Sequence, residues 1–258
     1  MHIHLPWTAP LLLALGTWLV YVADRILDGL CITVESQLRE RHLLYARHRG
    51  KLVSAAFVVT LVLLWLVSTH MSPAARREDS ALFGAALIYF VLIHLCGSLS
   101  ESGIERWFPK ELAVALVFAA AVAVPAWSRL SGNRTSLILL VATFSLLCWL
   151  NCVAIEKWEH IPYGSARTLR IPVSHASTRW AQRHLSFVSF ALALLASIGC
   201  VQSRLFGHHA AMAALYLASA GSAIVFPLLD RSRLSSLELR IAADAALLTP
   251  LLFIVVLH

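Results

Sequence analysis

The sequence predicts an all-α fold, a polytopic transmembrane helical bundle of about eight helices forming a single integral-membrane domain over residues 1–258. Three observations predict it. The composition is 59% hydrophobic and 14% charged, against about 45–50% and about 25% in soluble domains, and the mean hydropathy is +0.75. Apolar stretches recur along the chain, each close to the ~20 residues that an α-helix needs to cross a bilayer. The basic residues divide unevenly between alternate ends of those stretches, as expected when positive charge is retained on the cytoplasmic side.

The predicted spans are 8–28, 51–70, 81–99, 110–128, 135–156, 184–203, 208–227 and 236–256. The first ends in the stretch Thr17-Trp-Leu-Val-Tyr-Val-Ala-Asp24-Arg25-Ile-Leu-Asp28 after an uncharged run from Pro10 to Val22. A long polar loop, 29–50, follows it, and its Ser36–Tyr45 part reads as a short amphipathic helix on the membrane surface. The second long loop, 157–183, carries Pro162, Gly164 and Pro172. The remaining connections are short. Residues Met1-His-Ile-His-Leu-Pro-Trp7 lack Lys and Arg and precede no small-residue cleavage site, so no cleaved signal peptide is expected.

With the N-terminus outside, only Arg76, Arg77, Arg129, Arg134 and Arg204 of the 21 basic residues fall at outer ends. The acids divide likewise: of 14, only Glu78 and Asp79 lie outside. Both termini are thus expected outside and both long loops in the cytoplasm. The net charge of +7 is assigned to contacts with anionic membrane lipids, and no nucleic-acid partner is expected. The five cysteines, Cys31, Cys96, Cys148, Cys152 and Cys200, lie in or beside apolar runs without metal-site spacing. Neither a disulfide framework nor a zinc site is indicated.

Two helix ends carry the candidate chemistry. Asp24 and Asp28 are four residues apart, which places them on one helical face. Such a pair marks either the point where a helix leaves lipid or the ligands of a divalent cation, since Mg²⁺ is commonly held by one or two carboxylates together with substrate phosphates. The fifth span ends Asn151-Cys152-Val-Ala-Ile-Glu156-Lys157-Trp158-Glu159, with Cys152, Glu156 and Glu159 on one face. The two acidic ends are expected to face each other across the bundle and to hold one or two Mg²⁺ ions on a diphosphate. Arg240 and Asp244, also four apart, are expected to form an ion pair. His94 is read as a helix contact or a cavity residue, His208-His209 as interfacial, and Gly97, Ser98 and Ser100 as packing residues. No P-loop, nucleophile elbow, HExxH or dinucleotide fingerprint is present.

On these residues the chain resembles the UbiA-type intramembrane prenyltransferases. In that family one helix ends in Asn-Asp-x-x-Asp-Arg-x-x-Asp. Here the matching positions are Val20, Tyr21, Asp24, Arg25 and Asp28, so the second half of the motif is kept and the first is replaced. Glu156 and Glu159 stand where the family has its second aspartate motif, with Glu for Asp and a spacing of three. Lys110 matches the basic residue that opens the preceding helix. Three spans follow the second motif, as in the family, while the family's first helix has no counterpart.

The resemblance implies a bundle around a lipid-open central cavity, with the active side cytoplasmic, in a bacterial inner membrane. It implies Mg²⁺-dependent transfer of an isoprenyl group from a diphosphate to a lipophilic, aromatic or other acceptor. Asp24, Asp28, Glu156 and Glu159 would be the catalytic and metal-holding residues. Lys110, Arg25, Arg39, Arg41, Arg47, Lys51, Arg167 and Arg170 would contact the diphosphate through charge-assisted hydrogen bonds. The other reading is a non-catalytic membrane protein on the same scaffold, which binds an isoprenoid lipid or supports a partner enzyme.

Overall fold

The computed structural model describes residues 7–31, 48–96, 109–130, 134–159, 175–205 and 210–249. About 90% of these are helical, and no strand occurs among them. The helices are α1 (Thr8–Cys31), α2 (Arg49–His70), α3 (Pro73–Cys96), α4 (Lys110–Trp127), α5 (Thr135–Glu159), α6 (Ala176–Arg183), α7 (Leu185–Leu205), α8 (Ala210–Asp230) and α9 (Ser236–Ala246). All but α6 fall on segments that hydropathy marks out, although α9, expected to run over 236–256, ends at Ala246 with Leu247 as its C-cap. Five of them, α2, α4, α5, α7 and α8, are long and apolar enough to cross a membrane. The 32–47 region with its expected surface helix lies outside the described residues, as do 160–174 and 206–209.

The chain forms two compact units. One holds α1, α2, α3 and residues 121–130; the other holds α4 up to Ala120 and α5 to α9.

In the first unit α1 packs along α2. Only Leu66 of α2 is buried, while Phe57 is 65% exposed. A helix apolar all round with so little protein cover needs lipid as its solvent. At the end of α2, His70 lies between Trp7 and Trp65, with edge-on ring contacts at 6.1 Å and 5.7 Å. Amphipathic rings of this kind prefer the membrane–water interface.

α3 starts at Pro73, eight residues before the apolar segment, and so includes the charged run Arg76-Arg77-Glu78-Asp79. Hydropathy locates the part of a helix in lipid, whereas the start is set by capping. Ser72 Oγ accepts from the Ala75 N–H at 3.3 Å, and Pro73 occupies the first turn, where its missing donor costs nothing. Arg76 then donates to the carbonyls of Ser68 (2.9 Å) and Met71 (3.2 Å), satisfying the end of α2.

The second unit is built on the long contact between α7 and α8, against which α5 and α9 pack. Its core is Leu147, Leu150, Ala154 and Trp158 of α5, Leu192, Ala193 and Ala196 of α7, Tyr216, Ala220, Ala223 and Phe226 of α8, and Leu239 and Ala243 of α9. The many alanines let the helices approach closely, as small residues do between membrane helices. Gly199 takes this furthest: a Cβ there would stand 2.6 Å from Tyr216 Cε1.

Both ends of α9 are satisfied by specific groups. Ser235 and Glu238 form a reciprocal capping box, with Ser235 N–H donating to Glu238 Oε2 at 2.8 Å. At the other end Ser222 of α8 donates to the Ala246 carbonyl at 2.6 Å. Thr249 Oγ1, beside Ser222 Oγ, donates back to Ala218 O. A helix terminus that would otherwise leave orphan carbonyls is thereby closed.

Candidate functional site

One region of the second unit gathers polar and ionisable side chains from five helices. α5 is the spine of this layer, because Asn151, Glu156, Lys157 and Glu159 interrupt its apolar run toward the C-terminal end. Asp230, the last residue of α8, accepts from Lys157 Nζ at 2.7 Å and from Trp158 Nε1 at 2.9 Å. Both carboxylate oxygens are thus used, one by a cation and one by a buried indole. Arg240 of α9 pairs with Glu159 at 3.4 Å. Deeper by two turns, Asn151 donates from Nδ2 to Asp244 Oδ1 at 3.2 Å.

The layer continues onto α4 and α6. Thr178, fully buried in α6, donates to Glu111 Oε2 at 3.0 Å. α6 is oriented for this contact by His175, whose side chain accepts from the Ser177 N–H at its start. Cys148, Cys152 and Cys200 are free thiols.

The predicted site residues fall as follows. Glu156 and Glu159 stand in this layer, and Lys110 opens α4 beside Glu111. Lys51 is exposed in the first turn of α2. α1 runs unbroken through Asp24, Arg25 and Asp28, so the two aspartates stand about 6 Å apart along the axis. Their side chains lie outside the described residues, and with them the expected opposition to Glu156 and Glu159. Arg39, Arg41, Arg47, Arg167 and Arg170 also lie outside, as do the side chain of His94, His208-His209, and Gly97, Ser98 and Ser100.

One expectation is corrected. Arg240 and Asp244, a turn apart on α9, do not pair with each other; Arg240 reaches Glu159 and Asp244 is met by Asn151. Residues on one helix turn differ by about 40° in direction, and here that suffices for different neighbours to claim them. Glu111, Asn151, Thr178 and Asp230 also belong to the layer, although the sequence reading assigned them no role. Asn151 interrupting an apolar run was the available signal, since polar groups within membrane helices usually have a specific partner.

Among the described residues no three His, Cys, Asp or Glu side chains gather into a metal-holding group. The donors present are carboxylate oxygens, which is the chemistry Mg²⁺ takes, and Mg²⁺ characteristically completes its shell with water and substrate phosphate. Asp230, Glu159, Asp244 and Glu111 are each engaged by a group of the chain itself, Lys157, Arg240, Asn151 and Thr178 respectively. Comparison with protein-family models, curated proteins and solved structures finds no match to this chain.

Proposed function

We propose that the protein is a UbiA-like prenyltransferase of a bacterial inner membrane. It would transfer an isoprenyl group from a diphosphate donor to a lipophilic acceptor on the cytoplasmic side of an eight-span bundle with a central cavity. The observation that carries this reading is the mixed layer of the second unit, where Glu111, Glu159, Asp230 and Asp244 stand with Lys157 and Arg240 at the ends of apolar helices. Lys110, Lys157 and Arg240 belong to the same helix ends. A diphosphate leaving group needs both kinds of charge: carboxylates for the metal and cations for the phosphate oxygens. Asp24 and Asp28, a turn apart in α1, would supply the second pair of carboxylates. When bound, Mg²⁺ would neutralise the departing diphosphate. Lys110 would orient it, and the apolar helices would keep water away.

A second reading, a non-catalytic protein that binds an isoprenoid lipid, draws on a different observation. Glu159 and Asp230 are each engaged by a cation of the chain itself, and Val20 and Tyr21 replace two polar positions of the family motif.

Titration of the purified protein in nanodiscs with a short isoprenyl diphosphate, with Mg²⁺ or with EDTA, tests the proposal. Asp28→Asn and Glu156→Gln should each weaken Mg²⁺-dependent binding by about 1–3 kcal/mol for a lost charged contact, or about ten- to a hundredfold. Lys110→Met should weaken binding while leaving its Mg²⁺ dependence. Equal binding in Mg²⁺ and EDTA, or three folded variants indistinguishable from the parent, would sink the metal–diphosphate site. Mg²⁺-dependent binding without turnover would favour the second reading.

A further inference from the structure

α5 has a second face, away from the one that packs into the core. Leu147, Leu150, Ala154 and Trp158 form its packing stripe. Ser145, Trp149, Cys152 and Glu156 follow one another at intervals of four, three and four residues, so they form a separate stripe roughly half a turn round the helix. This second stripe is polar along its whole length. It starts in the charged layer at Glu156 and runs inward, with Trp149 about 10 Å and Ser145 about 16 Å deeper along the axis, near the middle of a ~30 Å hydrocarbon core.

Two donors on this stripe, Ser145 Oγ and Trp149 Nε1, are buried without a hydrogen-bond partner. Ser145 is only 3% exposed. Hydroxyls within membrane helices ordinarily close back on their own backbone. Thr143, Ser197 and Ser219 do so here, each on the carbonyl four residues earlier, but Ser145 does not. A buried, unused donor is costly in a protein interior and more so in lipid, so two on one helical face, one turn apart, point to a ligand. Nearby in sequence, Phe144 meets Phe118 of α4 at 6.2 Å between ring centroids.

The donor set selects the ligand. Indole N–H donates and cannot accept, and a serine hydroxyl donates freely. Residues four apart on a helix have Cβ atoms about 5–6 Å apart, close enough for both donors to reach one oxygen with two lone pairs. We propose that the Ser145–Trp149 stripe of α5 binds a lipophilic carbonyl compound, a ketone or a quinone, whose oxygen accepts from both. The proposal involves neither metal nor diphosphate and stands apart from prenyl transfer.

Benzophenone is a suitable probe, being a lipophilic ketone that crosslinks on illumination. The whole protein in nanodiscs, in EDTA, is photolabelled and the labelled segment located by mass spectrometry. Labelling should concentrate in residues 144–153 and be competed by dodecan-6-one but not by dodecane. It should fall at least fivefold in Trp149→Phe, which keeps the ring and loses the donor, and in Ser145→Ala. Ser145→Ala should also leave the ligand-free thermal midpoint unchanged or higher, because it deletes an unused buried hydroxyl; a purely structural serine would lower it. If Trp149→Phe does not fold, Ser145→Ala decides alone. Labelling spread over lipid-facing helices, equal competition by the alkane, or unchanged labelling in folded variants would overturn the proposal.

Discussion

The approach of Gly199 to Tyr216 makes a quantitative prediction about the second unit. A methyl group at position 199 would meet Tyr216 Cε1 at 2.6 Å, Cδ1 at 2.8 Å and Cζ at 2.9 Å. Non-bonded carbons settle at about 3.5–4.0 Å, so the ring must retreat by about 1 Å. Tyr216 is 6% exposed and is set among Ala196, Ala220 and Ala223 in the core, which leaves little room to retreat. Overpacking of this kind costs about 1–3 kcal/mol. Against it stands the better helix propensity of alanine, about 1 kcal/mol. Gly221, on the neighbouring helix α8, isolates the two effects, because a Cβ there meets nothing within 4 Å. Gly221→Ala should therefore be neutral or stabilising, and Gly199→Ala less stable than it by about 1–3 kcal/mol. The assay is SDS titration of the protein in mild detergent, followed by tryptophan fluorescence. Tyr216→Leu combined with Gly199→Ala should show a favourable coupling in a double-mutant cycle. Equal effects of the two glycine substitutions, or a cycle without coupling, would refute the steric argument.

Two further outcomes follow from the charged layer and from the charge asymmetry. Asp230→Asn keeps an acceptor for the Trp158 indole and removes the charge opposite Lys157. The pair is about one-fifth to one-third exposed, so the loss should fall between surface and buried ion pairs, about 1–2 kcal/mol. Adding Lys157→Met should restore most of it, as measured by the same titration. In sealed cells, single cysteines at positions 42 and 175, in a background without the native thiols, should resist a membrane-impermeant maleimide; labelling of either would reverse the assigned topology.

The charged layer also shows how far a sequence can be read. Lys110, Glu156, Lys157, Glu159 and Arg240 were assigned to one side of the membrane by basic-residue asymmetry alone, and Lys157 and Arg240 now appear in ion pairs of a common layer. Their pairing was not legible in that way. The capping box at Ser235 and Glu238 was present as a Ser-x-x-Glu pattern and needed only local geometry, whereas the Ser222 contact to Ala246 joins residues 24 positions apart.

The sequence by itself determined that this is a helical membrane protein, and where its helices run to within a few residues at most ends. Hydropathy and backbone hydrogen bonding are properties of contiguous segments, so they add up along the chain without reference to any fold. It also marked Asp24, Asp28, Glu156 and Glu159 as carboxylates at the ends of apolar runs. Only the tertiary structure decided what Arg240 and Asp244 do, why Gly199 must stay small, and that Ser145 and Trp149 hold donors unused. Each of these depends on the rotation of a helix about its axis and on which neighbour it meets. A difference of one residue changes that direction by about 100°, and nothing in a linear pattern records which helix stands opposite.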